Sequence, residues 1–311
     1  MIKGAFLVEP LTENKISKII DLGVNEISLK WEYCNEKHTD ILRNQGIKVY
    51  AEFSVFVHEE MWRKHPGSRP IDRSGHPMEP VNGYYGVCPN HPKVREEKLM
   101  TIASVIENKS IDGLWLDFIR YPCHWEGVRT PPIAEYCFCP NCLEKYEKEV
   151  GGTPEGDKWV TWKCEQITGF VKEVRKRIEI SGKSIQLGIF AVPWFDDEYG
   201  GAIRSIIGQD FRALSSYVDV FGVMAYQKFT GQPINWISDI VEAIDRTTGK
   251  SVVPLVQSMD RPEKVSSDEF EYSIGMAIKG SSKGMLIFHL EDLLMNEDKF
   301  KILQQVFNSC G

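Results

Sequence analysis

The sequence lacks a surplus of basic residues and has no long apolar runs. Its 311 residues carry 37 basic and 44 acidic side chains, which gives a net charge of −7 at pH 7. Because nucleic-acid-binding proteins usually present a basic surface, this balance argues against such a partner. The apolar runs are far shorter than the roughly 20 residues that cross a membrane, and residues 1–15 contain no apolar core of a signal peptide. We therefore expect a cytoplasmic protein with neither a nucleic-acid nor a membrane partner.

Histidine and cysteine are also scarce, which narrows the chemistry. Only 7 histidines are present, and no His-x-His pair follows the first predicted strand, which argues against a metal-dependent barrel hydrolase. The 8 cysteines are too few for a disulfide scaffold in a chain of this length. Three of them, Cys137, Cys139 and Cys142, lie close together. In a chain without a secretion signal, such clustering indicates a metal site.

Short β-rich runs recur along the chain, with helical patterns between them. The predicted strands are Ala5–Glu9, Glu26–Trp31, Lys48–Phe53, Gly113–Ile119, Ile185–Val192, Val218–Tyr226, Ser251–Gln257 and Met285–Leu290. The predicted helices are Lys15–Leu22, Glu96–Glu107, Trp159–Ile180, Ile234–Thr247, Asp268–Lys279 and Asp298–Phe307. This alternation indicates an α/β fold of the (β/α)8 TIM barrel type. A doubly wound sheet is the alternative, but no GxGxxG motif follows the first strand.

The chain is expected to form one barrel domain over residues 1–311, because no linker or low-complexity stretch divides it. Two connections are much longer than the others. They follow strands three and four and cover about residues 54–95 and 121–155. Long loops in compact domains are usually functional, and barrel active sites form at the C-terminal strand ends where these loops emerge.

The segment from Cys137 to Cys142 can supply three thiolates to one tetrahedral zinc ion. A fourth ligand must come from elsewhere. Cys88 in the other long loop would tie the two loops together, and the alternatives are Cys123 and His124. A site closed by four sulfurs has no open position, so its zinc would be structural. The remaining cysteines are expected to be lone thiols: Cys34, Cys164 and Cys310.

Both cysteine segments resemble those of glycoside hydrolase family 42 β-galactosidases. In that family a Cys-Pro-Asn segment and a Cys-x-Cys-x-x-Cys segment flank strand four and hold zinc. The resemblance implies that zinc is held here by Cys88, Cys137, Cys139 and Cys142. The Asn-Glu pair that supplies the acid/base of that family is absent from the intervening segment, residues 111–122.

The intervening segment, residues 111–122, is similar instead to the Asp-Gly-x-x-x-Asp strand of hypothetical glycoside hydrolases related to family 29 α-L-fucosidases. Some of those proteins also carry a cysteine cluster and a His-Pro…Gly loop, as between His65 and Gly75 here. The matching strand-four Asp is the nucleophile in the fucosidase-like relatives, so the resemblance implies this role for Asp117. It covers residues 48–155 well and the remainder only as a barrel.

Glycoside hydrolysis normally uses two carboxyl groups, and the predicted strand ends offer several. Asp117 interrupts an apolar strand, where burying an acid is costly without a purpose. We expect it to be the essential carboxylate, stabilised by Arg120, although a purely structural pair with Arg120 is the alternative. Its partner is expected to be either Glu52 on strand three or Glu291, which shares a face of strand eight with His289.

Aromatic side chains near the same strand ends are candidate stacking faces for a sugar ring. Trp194, at the exit of strand five, is the best of them, and Trp115 precedes Asp117 on strand four. Tyr226 ends strand six and is expected to orient substrate hydroxyls, with Arg120 and His289 as further substrate contacts. Core packing is the alternative for each ring.

These features together predict a glycoside hydrolase that cleaves a glycosidic bond of a carbohydrate substrate with two carboxylates. The alternative function is a catalytically inactive TIM barrel that keeps its carbohydrate-binding cleft. The missing Asn-Glu pair is the feature that favours this alternative.

Overall fold

Eight parallel strands form a closed barrel in chain order, with the last strand paired to the first. The structure, a computed structural model, describes residues 1–125 and 134–309. Its strands are β1 Ile2–Leu7, β2 Glu26–Lys30, β3 Lys48–Ser54, β4 Gly113–Asp117, β5 Gln186–Ala191, β6 Val220–Val223, β7 Ser251–Gln257 and β8 Gly284–Phe288. Each predicted strand overlaps an observed one, which confirms the (β/α)8 barrel.

Helices lie between successive strands and pack around the barrel. They are α1 Glu13–Asp21, α2 Glu36–Asn44, α3 Glu59–Lys64, α4 Pro92–Asn108, α5 Pro140–Glu149, α6 Gly156–Ser181, α7 Ala202–Ser205, α8 Phe211–Leu214, α9 Gln227–Thr230, α10 Trp236–Thr248, α11 Ser267–Ala277, α12 Leu290–Leu294 and α13 Glu297–Ser309. The predicted helices correspond to α1, α4, α6, α10, α11 and α13, and the others were missed. None of the helices described here is both long and apolar enough to span a membrane.

Local sequence signals explain where several helices begin and end. Helix α11 begins at a capping box, in which Ser266 and Glu269 each bond the other's backbone N–H. Helix α6 ends at Gly182, whose φ of 67° is the left-handed conformation that favours glycine. Such signals set the lengths of the helices that hold the barrel strands in place.

The interior of the barrel, below the C-terminal ends of the strands, is filled by large aromatic rings that lie against glycines. The ring of Trp115 stacks on Phe190 with a centroid distance of 4.8 Å. A Cβ atom on Gly188 would lie 2.3 Å from the Trp115 ring, and one on Gly222 would lie 2.5 Å from the Phe190 ring. Because the glycines on β5 and β6 have no side chains, the two rings can occupy this volume. The rings fill the barrel interior below the C-terminal ends of the strands.

The two long connections lie where the sequence analysis placed them. The first joins β3 to α4 and also contains the short helix α3. The second joins β4 to α6 and contains α5; residues 126–133 of this connection lie outside the described part of the chain. Both connections leave the C-terminal ends of neighbouring strands, so they flank the same side of the barrel mouth.

Candidate active site and metal centre

Two carboxyl groups lie inside the barrel at the C-terminal ends of neighbouring strands. The rings of Tyr50 and Trp115 meet in the interior with centroids 5.9 Å apart. Because side chains alternate along a strand, the residues two positions later, Glu52 and Asp117, face the same interior nearer the mouth. Glu52 is in register with Trp115, so Asp117 lies diagonally across from it. The strands thus bring Glu52 and Asp117 together.

Glu52 is the more buried of the two acids. Its residue is 3% exposed, and within the described residues no hydrogen bond or salt bridge reaches its carboxyl group. Burial raises the pKa of Glu52 well above its ordinary value, and the negative charge of Asp117 raises it further. The positive charges of Lys30, its register partner on β2, and of Lys98 oppose these effects without cancelling them. The site therefore favours the protonated form of Glu52.

Asp117 opens onto a cavity of about 170 Å³ at the mouth of the barrel. The other walls are largely aromatic and include Phe6, Phe190, Tyr226 and Phe288. The rings of Tyr226 and Phe288 pack against each other with centroids 4.8 Å apart. Tyr226 and Asp117 thus line the same cavity, and a substrate contact of Tyr226 stays a prediction. The cavity offers apolar faces with a carboxyl group at their edge, which suits a sugar ring.

The turn after Asp117 has an unusual backbone. Phe118 has a φ of 48°, in the left-handed region that a bulky side chain seldom adopts. Its N–H donates to Oδ1 of Asp117 at 2.7 Å, and its carbonyl accepts from the N–H of Arg120 at 2.9 Å. The buried guanidinium of Arg120 lies over the rings of Phe118 and Trp125, at 4.9 and 5.8 Å from their centroids. Stabilisation of Asp117 by Arg120 stays a prediction.

Glu291 occupies a different environment, at the beginning of α12. Its carboxylate accepts hydrogen bonds from two backbone N–H groups after β1, at 3.1 and 3.3 Å, and pairs with Lys15 at 2.9 Å. His289 lies between two acids, with Nδ1 3.2 Å from Glu291 and Nε2 3.0 Å from Asp292. Burial alone would raise the pKa of Glu291, but the neighbouring His289 ring and the hydrogen bonds from Lys15 and the backbone hold it at about 2. This carboxylate joins the exits of β8 and β1.

The two tryptophans that were candidate stacking platforms are both buried. Trp115 is fully buried, and its ring packs against Phe190 and Tyr50 in the barrel interior. Trp194 is 5% exposed and packs against Trp125 and Tyr199. It lines a separate cavity of about 330 Å³ beside α10. Trp115 therefore belongs to the core that the sequence analysis gave as its alternative, and a sugar contact of Trp194 stays a prediction.

Lys98 is a buried charge that the sequence analysis missed. Its Nζ donates to the carbonyl of Ser54 at the end of β3, 2.9 Å away. Burial lowers the pKa of Lys98 to about 8, against the opposing charges of nearby acids that include Glu52. The signal was its spacing: Val94, Lys98 and Ile102 recur every four residues and share the buried face of α4. A lysine on such a buried face indicates that its positive charge interacts with nearby acids, which here include Glu52.

The four cysteines that the sequence analysis grouped form one buried cluster. Their Sγ atoms all lie within 4.8 Å of one another, with Cys88 3.4 Å from both Cys139 and Cys142. All are free thiols. Zinc–sulfur bonds of about 2.3 Å would place tetrahedral ligands about 3.8 Å apart, so the donor set fits one such metal ion. Cys88, rather than the alternatives Cys123 and His124, completes the cluster.

This cluster joins the two long connections of the barrel. Cys88 belongs to the connection after β3, and the other three cysteines belong to the connection after β4. Cys34 and Cys164 are buried free thiols outside the cluster, and Cys310 lies outside the described residues. A metal bound by the cluster would therefore fix the two segments that flank Asp117 relative to each other.

Solved structures of similar fold include proteins that are described as glycosidases. No known protein family and no curated protein sequence matches the chain. The glycoside hydrolase domain of PgaB (BpsB) from Bordetella bronchiseptica superposes with a TM-score of 0.74 at 15% identity, over 98% of this chain and 97% of that one. A β-galactosidase from Marinomonas ef1 gives 0.73 at 11% identity, over 99% and 59%. An α-L-fucosidase from Paenibacillus thiaminolyticus gives 0.68 at 12% identity, over 99% and 49%.

The chain thus spans about half the length of the β-galactosidase and the α-L-fucosidase, and nearly all of the PgaB domain. At these identities the likeness establishes the fold. The resemblance to glycoside hydrolase barrels that the sequence motifs carried is confirmed at this level.

Proposed function

We propose that this chain is a glycoside hydrolase in which Asp117 and Glu52 form the catalytic pair. The observation that carries the proposal is the position of Glu52, which is only 3% exposed and lies close enough to Asp117, at the end of the neighbouring strand, for the Asp117 charge to raise its pKa. Burying a carboxyl group costs free energy, so an acid that is kept in such a place indicates a role in the chemistry. Two neighbouring acids in different protonation states are what glycoside hydrolysis requires.

The two acids take different roles in this proposal. Asp117, at the edge of the cavity, acts as the carboxylate that attacks the anomeric carbon, while protonated Glu52 donates its proton to the departing glycosidic oxygen. Water then replaces the enzyme–sugar bond, and Glu52, now ionised, accepts a proton from that water. The aromatic walls formed by Tyr226 and Phe288 hold the sugar ring and exclude solvent from the reacting atoms.

Three features support a carbohydrate substrate. The superposed structures include a glycoside hydrolase domain, a β-galactosidase and an α-L-fucosidase. The fucosidase-like strand-four motif places Asp117 at the nucleophile position. The cavity beside it combines apolar walls with a carboxyl group. The last two concern the same end of the barrel.

We also propose that the cluster of Cys88, Cys137, Cys139 and Cys142 holds one zinc ion. Four thiolate donors in a compact, buried group are the ligand set of a structural zinc site. With all four positions filled by sulfur, the metal would have no open position for substrate. Its contribution would be to fold the two connections that flank the catalytic pair.

The experiment is a hydrolysis assay on a broad panel of aryl glycosides and oligosaccharides. We expect Asp117→Asn and Glu52→Gln each to lower kcat/KM at least about 100-fold, the scale on which acid–base groups act. Asp112→Asn is the matched control. Asp112 lies just before the other end of β4, where its carboxylate accepts from Val49 N and pairs with Arg43.

The outcomes separate the two candidate functions. A wild-type protein that binds a sugar but hydrolyses nothing on the panel would identify an inactive carbohydrate-binding barrel. Near-native turnover by Asp117→Asn, on a glycoside that the wild type cleaves, would show that the catalytic pair is misassigned. Equal losses in Asp112→Asn would indicate a general effect on folding.

A further inference from the structure

Asn90 lies between the cysteine cluster and the segment that follows β4. The residue is 4% exposed. Its backbone N–H donates to Sγ of Cys88 at 3.4 Å, and its side-chain amide donates to Sγ of Cys142 at 3.3 Å. The same amide nitrogen donates to the phenolic oxygen of Tyr121 at 2.9 Å. One amide hydrogen therefore serves a sulfur, and the other serves the tyrosine.

The orientation of the Asn90 side-chain amide leaves its oxygen unpaired but directs its N–H groups at two acceptors. Oδ1 of Asn90 is buried without a hydrogen-bond partner in the described part of the chain. Turning the amide over would remove both N–H donors from their acceptors and place an oxygen against Cys142. Ligand thiolates carry negative charge and are stabilised by N–H donors around them. The orientation is the one that thiolates bound to a metal require.

Tyr121 is held firmly at the other end of this link. It is fully buried, and its backbone N–H donates to the carbonyl of Ile207 at 2.8 Å. A Cβ atom on Gly208 would lie 2.9 Å from its ring, so the ring packs directly against that backbone. The ammonium group of Lys163 lies 4.8 Å from the ring centroid on another side. Displacement of Asn90 would therefore remove a hydrogen bond from a side chain that is otherwise fixed by packing.

Tyr121 ends the short segment that begins with Asp117. Within it, Phe118 keeps a left-handed φ of 48°, which a bulky residue adopts only when its surroundings hold it there. The bond from Asn90 to Tyr121 is one of the contacts that fix the far end of this turn. The cysteine cluster is thus connected to the turn beneath Asp117 through one side chain.

We propose that Asn90 is a positioning residue that couples metal binding by the cysteine cluster to the conformation of residues 117–121. This inference rests on the proposed metal site and is independent of glycosidase activity. It predicts that metal binding orders the turn that carries Asp117, and that this ordering requires the Asn90 amide and the Tyr121 hydroxyl.

The first test compares the two Cys-Pro-Asn sequences of the chain. Asn90 follows Cys88 and bonds two sulfurs, whereas Asn141 follows Cys139 and its amide donates to the carbonyl of Gly67 at 3.4 Å. Zinc affinity is measured by competition with a chromogenic chelator. We expect Asn90→Leu to weaken zinc binding about 10–100-fold, while Asn141→Leu stays within about twofold of the wild type.

The second test follows hydrogen exchange of residues 113–125 by mass spectrometry. In the wild type, removal of zinc is expected to accelerate exchange of the amides at 117–121. Tyr121→Phe should keep its zinc affinity but show the faster exchange even with zinc bound. If Asn90→Leu does not fold, Asn90→Asp keeps the shape, places a negative oxygen beside Cys142 and should weaken zinc binding further.

Three results would overturn the inference. One is zinc affinity in both Asn90 variants equal to that of Asn141→Leu. Another is wild-type exchange at 117–121 that does not respond to zinc removal, and the third is wild-type exchange in zinc-loaded Tyr121→Phe. A wild-type protein that binds no zinc would instead contradict the metal site itself, and the inference with it, whatever the hydrolysis assay shows.

Discussion

Glu52 is buried and Glu291 is half-buried near the mouth of the barrel, and their surroundings move their pKa values in opposite directions. Glu52 is enclosed beside Asp117, and burial raises its pKa well above 4.5. Glu291 receives hydrogen bonds from Lys15 and the backbone and lies beside His289, and these contacts outweigh burial and hold its pKa at about 2. The surroundings thus favour the protonated form of a glutamate in one place and the ionised form in the other.

Replacing Glu52 by Gln is expected to stabilise the protein at alkaline pH. A raised folded-state pKa means that protonated Glu52 supports folding below the unfolded value of about 4.5, and that this support is lost as pH rises through the folded value. The gain of Glu52→Gln over the wild type should therefore grow from pH 5 to pH 8, reaching about 1–3 kcal/mol. Thermal unfolding at several pH values measures it.

The control for this prediction is Glu13→Gln, since the Glu13 side chain is 81% exposed. It should shift stability little at any of these pH values. A stability gain of Glu52→Gln that is the same at pH 5 and pH 8 would show that Glu52 is ionised in the folded protein across this range.

Replacing Glu291 by Gln should have the opposite effect on stability. A depressed folded-state pKa gives stability that is present above about pH 4.5 and is lost as pH falls towards the folded value of about 2. Glu291→Gln should therefore cost about 2–3 kcal/mol at pH 7, with a gap that narrows below pH 4.5. Denaturant titrations at pH 7 and pH 3.5 measure the gap.

The same variant also distinguishes the two candidate partners of Asp117. Because Glu291 serves to join β8 to β1, hydrolysis by Glu291→Gln should fall much less than hydrolysis by Glu52→Gln. A loss of activity that equals the loss in Glu52→Gln, in a variant that remains folded, would restore Glu291 as the partner.

At the scale of the elements, the cysteine cluster gives the most direct prediction. Freshly purified protein is expected to contain about one zinc ion per chain. Cys139→Ser should release it and lower the free energy of unfolding by about 3 kcal/mol or more, because a closed metal site contributes to folding. Elemental analysis and denaturant unfolding provide the two readouts.

Cys164→Ser is the matched control for the zinc prediction. Cys164 is a buried free thiol in α6, outside the cluster. The variant should keep its zinc and lose little stability. Protein that contains no zinc when freshly prepared would contradict the metal assignment.

The strands could be predicted because their sequences are apolar on both faces, as parallel strands covered by helices require. Helix α2 was missed since only Thr39 and Leu42 of its residues are buried, which leaves too narrow an apolar stripe to recognise. The short helix α3 has no buried residue at all. Elements whose side chains face solvent carry a weaker periodic signal than those that pack on the barrel.

The candidate site was predictable only in part, for a related reason. Asp117 could be singled out because an acid that interrupts an apolar strand is a local signal. The choice between Glu52 and Glu291 depended on contacts between distant parts of the chain, such as the pair formed by Lys15 and Glu291, which are 276 residues apart. Strand periodicity likewise could not show that Trp115 stacks on Phe190 in the core rather than facing a substrate.

At the scale of the whole molecule, packing and chemistry occupy different levels of the barrel. The rings of Tyr50, Trp115 and Phe190 fill the interior, and the two acids lie above them. The long connections close around the same end and are joined by the cysteine cluster. The architecture thus places packed rings below Glu52 and Asp117, and two connections joined by the cysteine cluster beside them.

The central claim is that Asp117 and Glu52 lie on either side of the bond that is cleaved. The most direct test is a crystal structure of the Asp117→Asn protein with an oligosaccharide that the wild type hydrolyses. The account predicts a glycosidic oxygen within about 2.6–3.2 Å of the Glu52 carboxyl group, with the side chain at position 117 facing the anomeric carbon. A sugar bound instead beside Trp194, or with its glycosidic oxygen on Glu291 and out of reach of Glu52, would contradict it.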